Sequence, residues 1–292
     1  MTGLRIASAA VLIPLVLVFV FLVPTWLFGL AVAFVTLLAL REYFQLARLS
    51  GMSTLDGPGY FFALVLIASQ ALLPFGTALF ISGAGMARQS HVRLETGFSP
   101  VLVLLAFVVG ASAWAFALQV PLAQFLPGLA TTGLGLLWIG LPLSLLVSLR
   151  AVSPYFGPRL LFFLLAVIWV GDSAAYFVGR AVGRHKLSPR ISPGKTVEGA
   201  VASLLGSLLV AALLALWQHA IPLGLLLAAA LLTNLAAQLS DLIESAFKRG
   251  AGAKDSGQLI PGHGGVLDRI DSLLLAIPVL WYYSMLVVSK YF

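Results

Sequence analysis

The feature that most constrains this chain is a series of apolar runs, each long enough to cross a lipid bilayer. A transmembrane helix needs about 20 mostly apolar residues, and the runs near this length are 6–23, 26–46, 60–81, 101–120, 129–149, 160–178, 197–217, 223–239 and 272–288. Pro74 and Gly76 interrupt the third run. Only 9% of the residues are charged, against about 25% in soluble domains, which excludes an ordinary soluble enzyme. We therefore predict an all-α polytopic membrane protein with about nine transmembrane helices.

The distribution of Lys and Arg predicts how the chain is oriented, because cytoplasmic loops carry an excess of these residues. With a cytoplasmic N-terminus, twelve of the 17 Lys and Arg residues lie on the cytoplasmic side. We therefore predict a multi-pass protein of the cell membrane (inner or plasma membrane), with its N-terminus and its active site facing the cytoplasm. The net charge of +7 suits the lipid bilayer and phosphates better than nucleic acid, so we expect no nucleic-acid partner.

Acidic residues are concentrated in the second half of the chain. Three of the ten, Glu42, Asp56 and Glu95, precede residue 172. The other seven are Asp172, Glu198, Asp241, Glu244, Asp255, Asp268 and Asp271. We therefore divide one continuous membrane domain into N-terminal transmembrane scaffold helices, residues 1–150, and a C-terminal transmembrane catalytic region, residues 151–292.

Asp172 lies inside the sixth apolar run, about two turns before Arg180. An ionisable residue within a membrane span is costly and is by default a candidate for function. Asp172 would then face a polar cavity open to the cytoplasm. The alternative is a buried carboxylate paired with Arg180 or with a neighbouring helix.

A basic loop follows this run, with five cations between Arg180 and Lys195. Such a loop could hold a polyphosphate, and Lys195 with Thr196 at the start of the next helix would add backbone N–H groups and the positive end of the helix dipole. Residues 194–196 resemble the end of a P-loop, but Arg190 stands where that motif requires glycine, which excludes it. The alternative is a positively charged membrane anchor without a ligand.

The segment from residue 238 to 271 combines carboxylates, cations and glycines. If the eighth helix continues past Leu239, Asp241, Ser245 and Lys248 share one face, with Glu244 beside them. Asp268 and Asp271, three residues apart, would likewise share a face at the start of the ninth helix. Mg²⁺ takes one or two carboxylates plus substrate phosphates. Further phosphate charge could be met by Lys248, Arg249 and Lys254. Surface charges that neutralise one another are the alternative.

Across 27 residues this segment resembles the signature of the phosphatidate cytidylyltransferase family, also called CDP-diacylglycerol synthase. The positions that carry the resemblance are Ser245, Lys248, Arg249, Lys254, Asp255, Pro261, His263, Gly264, Gly265, Asp268, Arg269 and Asp271. Residues 171–176 and 192–199 also look like family segments, so the resemblance extends from about Leu160 to Asp271. Ser240 stands where the family pattern has glycine.

The resemblance implies transfer of a cytidylyl group from CTP to phosphatidate, giving CDP-diacylglycerol and pyrophosphate. It also implies Mg²⁺, K⁺ as a candidate second cation, and a homodimer. We predict Asp241, Asp268 and Asp271 as metal ligands, with Asp172 and Glu244 as further candidates. Residues predicted to contact the nucleotide or phosphates are Asp172, Lys195, Thr196, Ser245, Lys248, Arg249, Lys254 and Arg269. His263 is a candidate for relaying a proton or ordering the loop.

Two other classes of membrane protein remain open. A CDP-alcohol or polyprenyl transferase would also need paired Asp residues, but these families typically space them four apart, whereas the pairs here are three apart. A transporter or channel could use Asp172 inside the membrane. It would predict inverted repeats and charges spread across both halves, and neither is seen in the sequence, where seven of the ten acidic residues lie from residue 172 onward.

Overall fold

The computed structural model describes residues 14–72, 78–79, 94–95, 99–217, 221–259 and 264–291, and these are mainly helical. The helices are α1 (14–22), α2 (Thr25–Leu49), α3 (Asp56–Leu72), α4 (Pro100–Ala117), α5 (Leu122–Gly135), α6 (Leu141–Ala151), α7 (Phe156–Val182), α8 (Val197–Trp217), α9 (Leu223–Gly250), α10 (Leu267–Ile270) and α11 (Leu273–Tyr291). Short antiparallel pairs are formed by β1 (Ala78–Leu79) with β2 (Leu94–Glu95), and by β3 (Lys186–Ser188) with β4 (Ser192–Thr196).

Seven helical segments within the described residues are long and apolar enough to cross a membrane. They are Thr25–Leu49, Pro100–Ala117, Leu122–Ala151, Phe156–Val182, Val197–Leu216, Leu223–Gly250 and Leu267–Val287. The prediction of an all-α polytopic membrane protein is thereby confirmed. The predicted first run lies partly outside the described residues. The third corresponds to α3, which has 17 residues and ends at Leu72, just before Pro74, where proline disfavours helix.

The span Leu122–Ala151 is the most enclosed of the seven, and it lies at the centre of the bundle. It consists of α5 and α6 joined by a π-helical turn, Leu136–Gly140, and it packs against α2, α3, α7 and α11. At the end of α6, the buried guanidinium of Arg150 donates hydrogen bonds to the carbonyls of Val20 (3.0 Å) and Val23 (3.1 Å). Arg150 thus satisfies carbonyls at the end of α1 that have no partner within the helix.

Helices α7, α8, α9 and α11 pack side by side and carry most of the predicted site. A buried polar network joins three of them. The amide of Asn234 on α9 donates to the hydroxyls of Ser203 (2.9 Å) and Ser207 (2.8 Å) on α8, and Ser207 donates to the carbonyl of Val167 on α7 (2.9 Å). A Cβ at Gly171 would lie 2.7 Å from the Asn234 nitrogen, so glycine there lets α7 approach this network closely. The network fixes the relative position of the helices that end at the site.

The N-terminal helices are packed directly against the end of α9. Phe247 stacks on Trp138 at 4.8 Å between ring centroids and meets Tyr43 of α2 edge-on at 5.9 Å. The Tyr43 hydroxyl donates to the carbonyl of Thr131. This aromatic contact places the C-terminal half of α2 beside the segment that contains the predicted site.

Candidate active site

Three carboxylates, from Asp241, Glu244 and Asp271, converge at one end of the bundle. One oxygen from each lies within 4.8 Å of one from each of the others. Helix α9 continues to Gly250, as predicted, so Asp241 and Glu244 lie one turn apart on the same face. Asp271 comes from the break between α10 and α11. We call Asp241, Glu244 and Asp271 the carboxylate cluster.

Two lysines contact this cluster. The Lys195 ammonium lies 2.5 Å from Asp241 Oδ2, and the Lys248 ammonium lies 2.5 Å from Glu244 Oε2 and 2.6 Å from Asp268 Oδ1. The Lys248 side chain is only 12% exposed, so its charge acts where water screens it weakly. The site therefore holds cations and carboxylates within contact distance, and it can accept both phosphates and a metal ion.

Glu244 is the most enclosed of the carboxylates, with a side chain 0% exposed. Within the described residues neither of its oxygens accepts a hydrogen bond of normal geometry, and its charge is met by the ion pair with Lys248. A buried carboxylate is costly unless it is paired or coordinates a metal. The site holds four carboxylates when Asp268 is counted with the cluster. Their negative charge exceeds the positive charge of Lys195 and Lys248. The donor set thus fits Mg²⁺, which prefers carboxylate oxygens.

Asp268 lies outside the carboxylate cluster. Its Oδ2 accepts hydrogen bonds from the backbone N–H groups of Ser256 (2.9 Å) and Gly265 (2.8 Å), and its Oδ1 contacts Lys248. Asp268 and Asp271 were expected to share a helix face; Asp271 keeps helical dihedral angles at the end of α10, but Asp268 contacts Lys248 whereas Asp271 belongs to the carboxylate cluster. Metal coordination by Asp268 stays a prediction, whereas its contacts in the structure order the loop and hold Lys248.

Asp271 is fixed by its neighbours in sequence and by α9. The Ser272 N–H donates to Asp271 Oδ1 at 2.6 Å. The Ser240 hydroxyl donates to the Asp271 carbonyl through a short hydrogen bond, and it also accepts from the N–H of Leu275 (3.3 Å). Ser240, which replaces the glycine of the family pattern, therefore joins α9 to the start of α11.

Asp172 projects from α7 as an exposed side chain, and it lies near enough to Asp241 and Lys195 for their charges to interact. Arg180, considered above as its partner, instead donates to the hydroxyl of Tyr176 at 3.0 Å. The structure thus brings Asp172 near the carboxylate cluster.

The basic segment forms the β3–β4 hairpin rather than an irregular loop. Lys195, near the end of β4, is the cation of this segment that contacts the carboxylate cluster among the described residues. Thr196 is 5% exposed, and its hydroxyl accepts from the N–H of Gly199 at 3.1 Å, as in a helix N-cap. His185 Nδ1 lies 2.6 Å from Glu198 Oε1, which ties the hairpin to the start of α8.

The other residues predicted to contact phosphates are Arg249, Lys254, Arg269 and Ser245. Arg249 is exposed and donates to the carbonyls of Ile191 (3.3 Å) and Ala253 (3.1 Å), so it braces the hairpin against the end of α9. Lys254 and Arg269 are exposed. Ser245 lies one turn after Asp241 on α9. The predicted His263 lies outside the described residues.

Two residues of the site were missed from the sequence, Glu42 and Ser256. Glu42 is 4% exposed and accepts a hydrogen bond from the Ser256 hydroxyl at 2.8 Å. A signal for Glu42 existed, because it lies inside the second apolar run, where an ionisable residue is a candidate for function just as Asp172 is. Ser256 falls among the variable positions of the signature, so its spacing carried no such signal.

Comparison with known proteins matches nearly the whole chain to the family that the signature segment resembles. The Cytidylyltransferase family model matches residues 3–287. A protein of Haemophilus influenzae named phosphatidate cytidylyltransferase is 34% identical over 297 residues, covering 97% of this chain and 98% of its own. Proteins of the same name are 35% identical in Synechocystis, covering 89% of each chain, and 43% identical in Bacillus subtilis, covering 51% of this chain and 55% of that one.

Proposed function

The chain belongs to the cytidylyltransferase family, and we propose that it transfers a cytidylyl group from CTP to phosphatidate. The products are CDP-diacylglycerol and pyrophosphate, so the enzyme is a nucleotidyltransferase of phospholipid biosynthesis. The observation that carries the proposal is the carboxylate cluster with Lys195 and Lys248 at one end of a bundle of apolar helices. A lipid with an anionic headgroup can reach this end of the bundle, and a nucleoside triphosphate can reach it as well.

The reaction requires charge neutralisation more than proton transfer. An oxygen of the phosphatidate phosphate attacks the α-phosphorus of CTP, and the bond from that phosphorus to the β-phosphate oxygen breaks to release pyrophosphate. Phosphatidate is already ionised near neutral pH, so no strong base is needed. We propose that Lys195 and Lys248 bind phosphate oxygens and stabilise the charge that develops on them, since such stabilisation is the main source of catalysis in phosphoryl transfer.

We propose that Asp241, Glu244 and Asp271 hold Mg²⁺. Two of these were predicted as ligands from the sequence, and Glu244 is supported by its burial and its lack of hydrogen bonds within the described residues. Bound Mg²⁺ would neutralise phosphate charge and orient the phosphates. Asp172, whose charge interacts with those of Asp241 and Lys195, is the carboxylate we propose for a second cation, with K⁺ the candidate that the family resemblance implies.

The same geometry supports a proposal for the membrane arrangement. The ends of α7 and α9, the β3–β4 hairpin and the start of α10 lie together and carry most of the Lys and Arg of the second half. By the positive-inside rule, we propose that this end faces the cytoplasm, with the N-terminus on the same side. Phosphatidate would enter sideways from the bilayer while CTP arrives from the water. We also propose a homodimer, which cross-linking in membranes would test.

The test is the reaction itself, carried out with purified protein, Mg²⁺, CTP and phosphatidate in mixed micelles. We expect pyrophosphate release that depends on both substrates, and CDP-diacylglycerol as the lipid product. Asp268→Asn should lower this rate at least about 100-fold, because Lys248 loses one of its two carboxylate partners and is no longer held in position at the site. Asp56→Asn is the matched control, since Asp56 pairs with Arg48 on the surface at 2.8 Å. Near-normal turnover in Asp268→Asn would contradict the assignment.

A further inference from the structure

A carboxylate from the N-terminal half reaches the loop that carries the family signature. Glu42 lies on α2, yet its Oε1 accepts from the N–H of Val266 at 2.9 Å and its Oε2 from the N–H of Leu267 at 2.8 Å. These contacts join segments 224 and 225 residues apart in the chain. The two N–H groups stand at the start of α10, where a helix has no internal partners for them.

The same carboxylate binds the hydroxyl of Ser256. Ser256 Oγ lies 2.8 Å from Glu42 Oε2 and 3.0 Å from Asp268 Oδ2, so one hydroxyl sits between two carboxylates. Ser256 is 4% exposed, which leaves little room for it to move. Its position, and through it that of Asp268 Oδ2, depends on where Glu42 is held.

From Asp268 the contacts continue into the carboxylate cluster. Asp268 Oδ1 lies 2.6 Å from the Lys248 ammonium, which in turn lies 2.5 Å from Glu244 Oε2. A continuous series of hydrogen bonds and ion pairs therefore runs from Glu42 through Ser256, Asp268 and Lys248 to Glu244. Ordered contacts of this kind set the orientation of groups that bind substrate or metal.

The local backbone leaves space for this arrangement at a glycine. A Cβ at Gly265 would lie 2.3 Å from Glu42 Oε2 and 2.2 Å from Ser256 Oγ. Gly265 is one of the positions that carry the family resemblance, and its lack of a side chain lets the loop pass directly over the Glu42 carboxylate. The loop and α2 thus fit each other at this point.

We propose that Glu42 is a positioning residue for cytidylyl transfer. It holds the start of α10 and Ser256, so that Asp268 keeps the Lys248 ammonium beside Glu244. The inference rests on the proposed function, but it is separate from it, because Glu42 contacts neither substrate nor metal in this account. The first 150 residues then contribute to catalysis as well as to the scaffold.

Glu42→Gln tests the role, since glutamine keeps the size but has only one oxygen to accept hydrogen bonds. We expect kcat to fall roughly 10- to 100-fold through misplacement of Lys248. We expect the KM for CTP to stay within about threefold, because Lys195 and the exposed cations remain in place. Asp56→Asn, the surface control, should change neither. An inactive wild-type protein would refute the proposed function, whereas the role of Glu42 is judged on the ratio of variant to wild type.

A second variant separates positioning from a general loss of folding. Ser256→Ala removes the link between Glu42 and Asp268 while leaving α2 intact, and we expect it to lower kcat as well. If both residues act through one series of contacts, the double variant should stay within about threefold of the slower single variant. Three results would each overturn the proposal. The first is a double variant whose loss of kcat is the product of the two single losses, and the second is a Glu42→Gln kcat within about twofold of wild type. The third is a loss of activity that only follows the amount of folded protein.

Discussion

Replacing Glu244 by glutamine tests which carboxylates hold the metal ion. The change keeps the shape of the side chain but removes one negative charge from the carboxylate cluster. At an effective dielectric constant of about 20, two unit charges 4 Å apart interact by about 4 kcal/mol. A divalent ion doubles this value, but Lys248 neutralises part of the Glu244 charge and glutamine keeps one oxygen as a ligand, so we take about a quarter of the doubled value, ~2 kcal/mol, as the loss in metal binding. That corresponds to roughly 30-fold weaker binding.

The measurement is titration of the purified protein with Mn²⁺, followed by electron paramagnetic resonance, with Mg²⁺ added to compete. Its readout is binding, so it does not depend on turnover. Asp268→Asn is the matched comparison, because Asp268 contacts Lys248 but lies outside the cluster. We expect its Mn²⁺ affinity to stay within about threefold of wild type. The reverse pattern, with Asp268→Asn weakening binding and Glu244→Gln leaving it unchanged, would refute the reasoning.

Two further changes act at opposite ends of the bundle. Lys195→Met removes the cation beside Asp241, and we expect the KM for CTP to rise roughly tenfold in steady-state kinetics, as for loss of one charged phosphate contact; an unchanged KM would count against Lys195 as a phosphate ligand. Arg150→Gln removes charged hydrogen bonds to Val20 and Val23, and it should lower the thermal unfolding midpoint in detergent by about 4–8 °C. Its kcat should equal that of wild type, and a large loss of kcat would contradict a purely structural role.

Local patterns in the sequence were sufficient where the physics is local. Apolar length predicted the spans, because a helix in lipid must satisfy its backbone internally over the full thickness of the bilayer. The i, i+3 and i+4 spacing from Asp241 to Lys248 predicted a shared helix face, and α9 does continue through these residues. Once a segment is helical, the directions of its side chains follow from their spacing.

The spacing rule did not decide which groups each carboxylate contacts. Asp268 and Asp271 are three apart, yet Asp268 contacts Lys248 and the loop N–H of Gly265, whereas Asp271 belongs to the carboxylate cluster. The Thr196 hydroxyl accepts from the N–H of Gly199 at the start of α8, and its predicted contact with the nucleotide stays a prediction. The residue types were informative, while their partners depend on packing and capping that spacing does not contain.

The sequence by itself determined that this is a membrane protein, and it predicted that the chemistry lies mainly between residues 172 and 271. It did so because hydrophobic length and charge are properties of contiguous residues. Only the tertiary structure decided that Glu244 joins Asp241 and Asp271, that Asp268 turns to Lys248, and that Glu42 reaches the loop from α2. Those choices depend on how helices distant in sequence pack against one another, and no spacing within one segment encodes that packing.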